Sequence, residues 1–412
     1  MAIVASDLVV TEIMSRVPGK SLARFRSVSK QFRSLLSDPY FLRLHHSRSR
    51  DSLFTLKACQ KIKVVSAVAA LNDPRNLWTI RYNFQVTNKG LLVHDFTLDF
   101  IGLRIKLLSC QHQLLCVACS TGIHLYDPLN NVLKKLPDSP SSPWCFNRSH
   151  QECVVSFGFV DAAMQYKVVK WPHDLDENRT RRLPNGIVTT WKKVNQLKFE
   201  ILNIDINVED GGRLIVSPWR MLKMQCPYLL QLSSQVHVNG FIYWITADFQ
   251  IVSFSLQDET FSTLNSKPSC FHLDTQGSQK SRFFTLCGSR GNLWMVDFDV
   301  SSQIMEIWKM EESGWAKIHK IDLGGTRPNK NGKVQMLDIL SDQVLFELPS
   351  TGQLIRYHAK TNTLDNNEIY TDYQLCHFTD GPLSLHNIDM SDSSPHSSRY
   401  LNFESFLDTQ PR

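Results

Sequence analysis

Residues 123–137 read IHLYDPLNNVLKKLP: an apolar-aromatic run, a turn of Asp, Pro and Asn, then a second run closing on Leu-Pro. The same plan recurs in IVSFSLQDETFSTL (251–264), MVDFDVSSQIMEIWKM (295–310) and LIRYHAKTNTLDNNEIY (354–370). Each copy follows a strand pair with a small-residue turn: LLSCQHQLLCVAC, VHVNGFIYWIT, FFTLCGSRGNLWMV and VQMLDILSDQVLFEL. Short alternating runs bounded by turn residues are strand signals, and their recurrence marks a repeat architecture. VSFGFVDAAMQYKVVKW (155–171) with KFEILNIDI (198–206) supplies another four-strand unit. Units therefore fall at 105–137, 154–222, 236–264, 283–322 and 334–370. A less regular one occupies 52–100, closed by the last strand, Tyr373–Leu385. Five clear units and this sixth, each of about forty to sixty residues, predict a mainly-β domain over 52–386, a β-propeller of about six blades.

The totals fit one small module ahead of one large domain. The chain has 412 residues, 42% hydrophobic and 20% charged, an ordinary globular composition. No apolar run reaches the length of a membrane span. The opening MAIVASDLVVTEIM lacks a basic start and carries acids where a signal core would be apolar. The ten cysteines are then expected as thiols of a cytoplasmic or nuclear protein rather than as a disulfide framework. The net charge of +6 is unevenly placed: residues 1–50 hold nine Lys/Arg against three acids, and the rest of the chain sums to zero.

All of that bias belongs to residues 1–50, of which 1–47 read as a helical module. Asp7–Val17 places Val9/Val10, Ile13/Met14 and Val17 along one side, and Pro18-Gly19 stops it. Second and third helices fit Ser21–Ser29, with Leu22, Phe25 and Val28 inward, and Lys30–Ser37, with Phe32, Leu35 and Leu36 inward. Asp38 caps a fourth, with Pro39 at its first helical position, over Tyr40–His46. Four short helices bury little core, so a spare apolar stripe implies a partner. Gly19-Lys-Ser is no phosphate loop, because the glycine required five residues before the Gly-Lys pair is Met14. Two other readings stay open on residues alone: a basic surface for nucleic acid, with no second basic track to extend it, and a helical cap on the domain behind.

The segment DLVVTEIMSRVPGKSLARFRSVSKQFRSLLSDPYFLRLHH resembles the F-box of the large plant F-box family. Val17-Pro18, Lys20-Ser-Leu22, Arg24-Phe-Arg26 and Ser37-Asp-Pro-Tyr-Phe41 stand in the family's order and spacing. Two departures stand out: Ala5-Ser6 replaces a Leu-Pro, and Ser27, Ser29 and Phe32 replace the Cys, Cys and Trp of a later segment. The resemblance implies that Leu8, Ile13, Val17, Pro18 and Leu22 form part of an apolar patch facing a Skp-type adaptor. Loss of Leu-Pro would weaken one edge of that patch. The β region resembles the F-box-associated domain of the same family. Its marks are Leu125-Tyr-Asp-Pro128, Phe157-Gly-Phe159, Tyr166-Lys-Val-Val169, Val238-Asn-Gly240 with Trp244, and Glu306-Ile-Trp308-Lys-Met310. It is kelch-like in period only, having two Gly-Gly doublets in all.

Motifs for chemistry are scarce. Cys110, His112, Cys116 and Cys119 suggest zinc, but Leu114–Ala118 reads as continuous strand, where Cys116 and Cys119 point to opposite faces. The hydrolase, metalloprotease and dinucleotide motifs are missing, so no metal, cofactor or catalytic residue is expected. Surface loops remain. Trp171–Leu197 (WPHDLDENRTRRLPNGIVTTWKKVNQL) is too long for a plain connection and offers Trp171, Arg181, Arg182 and Trp191, the residue types that dominate protein interfaces. Ser139–Asn147 offers Trp144. Residues 387–412, with SDSSPHSSR, read as a polar, mobile tail.

The expectation is a non-catalytic ubiquitin-ligase subunit. Residues 1–47 would dock on the Skp-type adaptor and, through it, a cullin scaffold, while the propeller captures an unknown substrate protein. The alternative is a nucleic-acid-associated propeller scaffold using the basic N-terminal helices.

Overall fold

The computed structural model describes residues 13–49 and, apart from several connections, 54–390; residues 1–12 and 391–412 lie outside the description. It shows a small helical module followed by a mainly-β domain.

The module opens with a single 3-10 turn, Met14–Arg16, and three helices: α1 (Gly19–Phe25), α2 (Lys30–Leu35) and α3 (Pro39–Ser49). The helix expected over Asp7–Val17 falls mostly outside the described residues. Pro18, extended at ψ 139°, does not so much end a helix as stand at the N-cap of α1. Polar caps set the other two starts. Ser29 Oγ accepts the Phe32 amide at 3.1 Å, and Asp38 Oδ1 accepts from Tyr40 and Phe41 at 2.8 and 3.1 Å, satisfying donors that a helix start leaves unpaired. The centre is Met14, Leu22, Leu36 and Phe41, with Val17, Phe32 and Leu35 partly buried around it. Phe25 and Val28, read as inward, are instead 38% and 67% exposed. Helix α1 ends at Phe25, so Val28 lies in the following turn, beyond the helical phase that would bring it inward. Two of the module's bases act inside it: Arg26 donates to the Leu36 carbonyl at 3.1 Å, and Arg48 to Ser15 Oγ at 2.5 Å. Burial, and then the nearby Arg33, lower the Arg26 guanidinium to about 10.

Among the described residues, the β domain consists of six mainly antiparallel sheets in propeller order, plus one separate hairpin. Blade I pairs Tyr373–Phe378, Phe54–Val64, Trp78–Asn88 and Leu91–Ile101, so the last propeller strand closes the first blade. Blade II runs Leu107–Gln111, Leu114–Cys119, Gly122–Asp127 and Val132–Lys135. Blade III runs Glu152–Val160, Gln165–His173, Glu200–Asn207 and Arg213–Val216. Blades IV, V and VI span Val236–Thr263, Arg282–Asp322 and Gln335–Ile369, four strands each. The first strand of each blade touches the first strands of both neighbouring blades, and the six make a closed ring. The units read from sequence coincide with the blades.

The turns after the first strands gather on one face. There His112 Nε2 lies 3.9 Å from Asp161. Asn239 Nδ2 donates to the Gly291 carbonyl at 2.8 Å, and Ser289 Oγ to Asp338 at 2.8 Å. These contacts link blades II to III, IV to V and V to VI. Asn239-Gly240, at φ 48° and 78°, forms the two-residue turn whose left-handed backbone suits a twisted hairpin. Blades III and IV meet where Gly158 faces His237 and Leu256; a Cβ at Gly158 would stand 2.6 Å from the His237 ring and 2.2 Å from Leu256 Cδ1.

The chain end packs further than composition suggests. Leu385 is fully buried, and Ile388–Asp389, inside the segment read as tail, pairs in parallel with Leu214–Ile215 on the outer edge of blade III. Arg213 holds Asp389 at 2.8 Å.

Two outcomes follow from this packing. Gly158→Ala should lower unfolding free energy by about 1–3 kcal/mol in urea denaturation, since overpacking forces neighbours off their rotamers. The second concerns His124, which burial, and then Lys135, depress to about 4 from its ordinary value of 6.5. A histidine held neutral contributes stability that is complete above its unfolded value and is lost as pH falls from 6.5 towards 4. His124→Gln should therefore lose less stability than the native chain between neutral and mildly acidic urea melts.

Candidate functional site

The helical module carries an unusual share of exposed apolar surface. Of eight exposed large hydrophobic side chains among the described residues, Ile13 (59%), Phe25, Val28 (67%) and Tyr40 lie in it. So large a share of exposed apolar side chains on a small module makes it a candidate interaction surface. Of the five residues expected there, Ile13 and Pro18 are exposed and Val17 is half-buried. Leu22 is not on the surface: it is wholly buried at the module's centre, where it packs with Met14, Leu36 and Phe41. Leu8 lies outside the described residues. Sequence reasoning missed Phe25, Val28 and Tyr40 as surface residues, because spacing alone assigned the first two to the interior. The surrounding bases Arg24, Lys30, Arg33 and Arg43 are exposed.

The module's position is fixed by α3. Leu42 is buried in one cluster with Leu114 of blade II, Met164, Tyr166, Ile206 and Leu214 of blade III, and Leu385 of the C-terminal segment. Met164 belongs to the turn that joins the first two strands of blade III. The module therefore packs on blades II and III through Leu42.

The loop candidates for substrate binding lie at the other end. Gln165–His173 runs away from that turn, and Glu200–Asn207 returns towards it. The stretch between them, expected to be one long loop, contains a separate two-stranded sheet of Asn178–Arg182 with Val188–Lys192. Arg181 pairs with Thr189, Arg182 with Val188, and Trp191 with Arg179. Trp171 is no loop residue. It is fully buried in blade III, with ring centroids 5.0 Å from Phe199 and 5.6 Å from Trp244. Trp144 lies outside the described residues, in the connection from blade II to blade III.

The blade III strands that flank the insertion are held by buried polarity as well as by Trp171. Lys170 and Glu200 face each other in register. Lys170 Nζ is 3.8 Å from Glu200 Oε2 and donates to Ser139 Oγ at 2.7 Å, and Ser139 in turn donates to Glu200. All three are nearly inaccessible to solvent. The trio ties the two stems of the insertion to the start of the 139–147 connection.

Among the described residues no three His, Cys, Asp or Glu side chains converge. Cys116 is buried within a strand, and the His112 ring packs on Phe159 at 4.0 Å. The side chains of Cys110 and Cys119 lie outside the described set.

Comparison with known proteins identifies the helical module. Residues 6–44 match the F-box domain. An F-box protein of Arabidopsis thaliana is 26% identical over 383 residues, 89% of this chain and 82% of its own length. Another from that plant is 25% identical over 327 residues, 77% of this chain and 79% of its own. An Arabidopsis F-box/kelch-repeat protein is 31% identical over 180 residues, 42% of this chain and 38% of its own. Among solved structures, the Cps50 β-propeller domain of Myceliophteria thermophila matches at TM-score 0.35 and 9% identity, over 75% of this chain and 85% of that one. The chain thus carries an N-terminal F-box domain joined to a propeller-like, mainly-β domain. Its relatives are plant F-box proteins, some of them F-box/kelch-repeat proteins.

Breaking the buried trio should be costly. Glu200→Ala would leave Lys170 buried and uncompensated, a loss of about 3–5 kcal/mol in chemical denaturation, whereas Lys170→Met with Glu200→Leu should recover most of it.

Proposed function

We propose that this protein is the substrate-recognition subunit of a Skp–cullin–F-box type ubiquitin ligase. The observation that carries the reading is the F-box match over residues 6–44 on a module that leaves Ile13, Pro18, Phe25, Val28 and Tyr40 exposed. Those apolar groups would be covered by the Skp-type adaptor, with the exposed bases around them favouring an acidic partner and speeding encounter. Leu22 supports that surface from beneath. Leu8 remains a proposed member of it, and the cullin scaffold is reached through the adaptor.

The chain supplies proximity rather than chemistry. The cluster of Leu42 with blades II and III holds the module against the propeller. A substrate captured on the β domain would then be presented to a ubiquitin-charging partner at a defined distance, making a bimolecular transfer effectively local. The domains proposed are the F-box module over 1–47 and the propeller over 52–386, followed by the polar segment 387–412.

The nucleic-acid alternative is weakened by what the bases do. Arg26 and Arg48 are engaged inside the module, so the track of bases available to phosphate is shorter than the sequence suggests.

Pull-down of the full chain with a purified plant Skp-type adaptor tests the proposal. Ile13→Asp with Pro18→Ala should reduce capture by about tenfold or more, as expected for central apolar contacts. Arg24→Ala with Arg43→Ala should change it by less than about threefold. Unchanged capture in the first variant, or the reverse order of effects with steep loss in salt, would overturn it.

A further inference from the structure

We infer that the outer edge of blade III, at the rim formed by Trp219 and Met221, is a docking surface for the chain's own residues 400–407, YLNFESFL. The inference is independent of the adaptor: it concerns how the propeller covers an apolar edge of its own.

The rim is apolar in a place where proteins avoid it. Among the described residues of the β domain four large hydrophobic side chains are exposed, and two of them, Ile215 and Met221, belong to this one edge. An apolar sheet edge left open invites pairing with another chain, so it is ordinarily charged or covered. Met221, 45% exposed, stands opposite Glu200 in register, and paired residues share one side of a sheet. On that side Glu200 accepts from Ser139, in the connection from blade II. Trp219, two residues before Met221, turns the same way. Its Nε1 donates to the Pro137 carbonyl at 2.8 Å, and its half-buried ring packs on the cluster that contains Leu42.

The last described residues lie on this rim. Ile388–Asp389 runs parallel to Leu214–Ile215, and Ile388 and Met390 pack on the same cluster as Trp219. The parallel register points the next residues past Val216, towards Trp219 and Met221. The edge is therefore an interface with the C-terminal segment over two residue pairs, and twenty-two residues follow Met390.

The sequence of those residues singles out the part that fits. Residues 391–399, SDSSPHSSR, form a polar spacer that can reach about 30 Å, ample for a rim whose Trp219 shares a cluster with Met390. Apolar side chains then take five of eight positions: Tyr400, Leu401, Phe403, Phe406 and Leu407. Residues 400–408 include Glu404 and Asp408 and no base. Beside the rim stand the bases Arg220, 43% exposed and shared with Glu259, and Lys223, also exposed. The Arg213–Asp389 pair already shows this combination of signs on the same edge. Opposite charge fixes orientation, and covering the apolar groups takes them out of water. A segment tethered this closely meets its site at an effective concentration on the order of mM, so weak intrinsic affinity suffices. Docked there, it extends the cluster that holds Leu42 and Leu385 and acts as a clasp over the joint between the helices and the propeller.

Hydrogen–deuterium exchange on the full chain tests the docking. Fragments covering 400–407 should exchange about tenfold or more slowly than the same sequence in a free synthetic peptide. Phe403→Ser with Phe406→Ser should abolish that protection and speed exchange at 219–222. Met221→Asp should also release 400–407, whereas Ile318→Asp, at an exposed position on the outer strand of blade V, should not. A fluorescein-labelled peptide of residues 396–412, read by anisotropy, gives a second arm. It should bind the chain with both serine substitutions about tenfold or more tightly than the native chain, whose tethered copy fills the site. The same peptide bearing both serines should bind neither. The serine substitutions change no described core residue, so this arm reports even where Met221→Asp fails to fold. Exchange at 400–407 as fast as in the free peptide, or equal peptide binding by the two chains, would overturn the inference. Protection that appears only at concentrations where the chain dimerises would overturn it too, by assigning the rim to the segment of a second copy.

Discussion

Everything in the β domain depends on one pairing: Tyr373–Phe378 laid antiparallel on Phe54–Cys59. Without it, blade I lacks its innermost strand and the ring of first strands stays open between blades II and VI. An open ring would expose unpaired strand edges and the apolar sides of two blades, the hazard that closure removes. The partners lie more than three hundred residues apart in the chain. Closing so long a loop is favourable only because loop-closure entropy grows slowly with length, while the edges gained are many.

That meeting of chain ends explains how the two parts act as one. Leu385 and Leu42 arrive from opposite ends of the sequence and are buried in a single cluster on blades II and III. Ile388–Asp389 then adds to the edge of blade III. The Arg213–Asp389 pair is partly exposed and contributes little by itself; the buried leucines hold the contact. The helical module is therefore joined to the propeller by packing through Leu42 as well as by the chain between them.

The residues that carried the family resemblance in the β domain turn out to be packing residues. Leu125, Tyr126 and Asp127 are buried, Phe157 stacks on Tyr166 at 5.5 Å, and Trp244 is sealed against Trp171. Gly158 sits where blades III and IV approach too closely for a side chain. These marks specify how strands and blades fit together.

Sequence by itself determined the elements whose signals are local. Strand alternation and turn residues located every blade, and Asp38-Pro39 placed the start of α3, because a strand, a turn and a cap each depend on residues within a few positions. It also carried the closing role of the last strand, since an incomplete first unit and a surplus final strand imply each other. The tertiary structure alone decided which apolar residues face inward. Leu22 is buried while Phe25 and Val28 are exposed, because in helices of six or seven residues the inward side is set by the neighbouring helices and not by spacing. It likewise moved Trp171 from loop to core and resolved a presumed loop into a ribbon. Those outcomes depend on Phe199 and Trp244, distant in sequence, and burial is a property of what arrives from elsewhere in the chain.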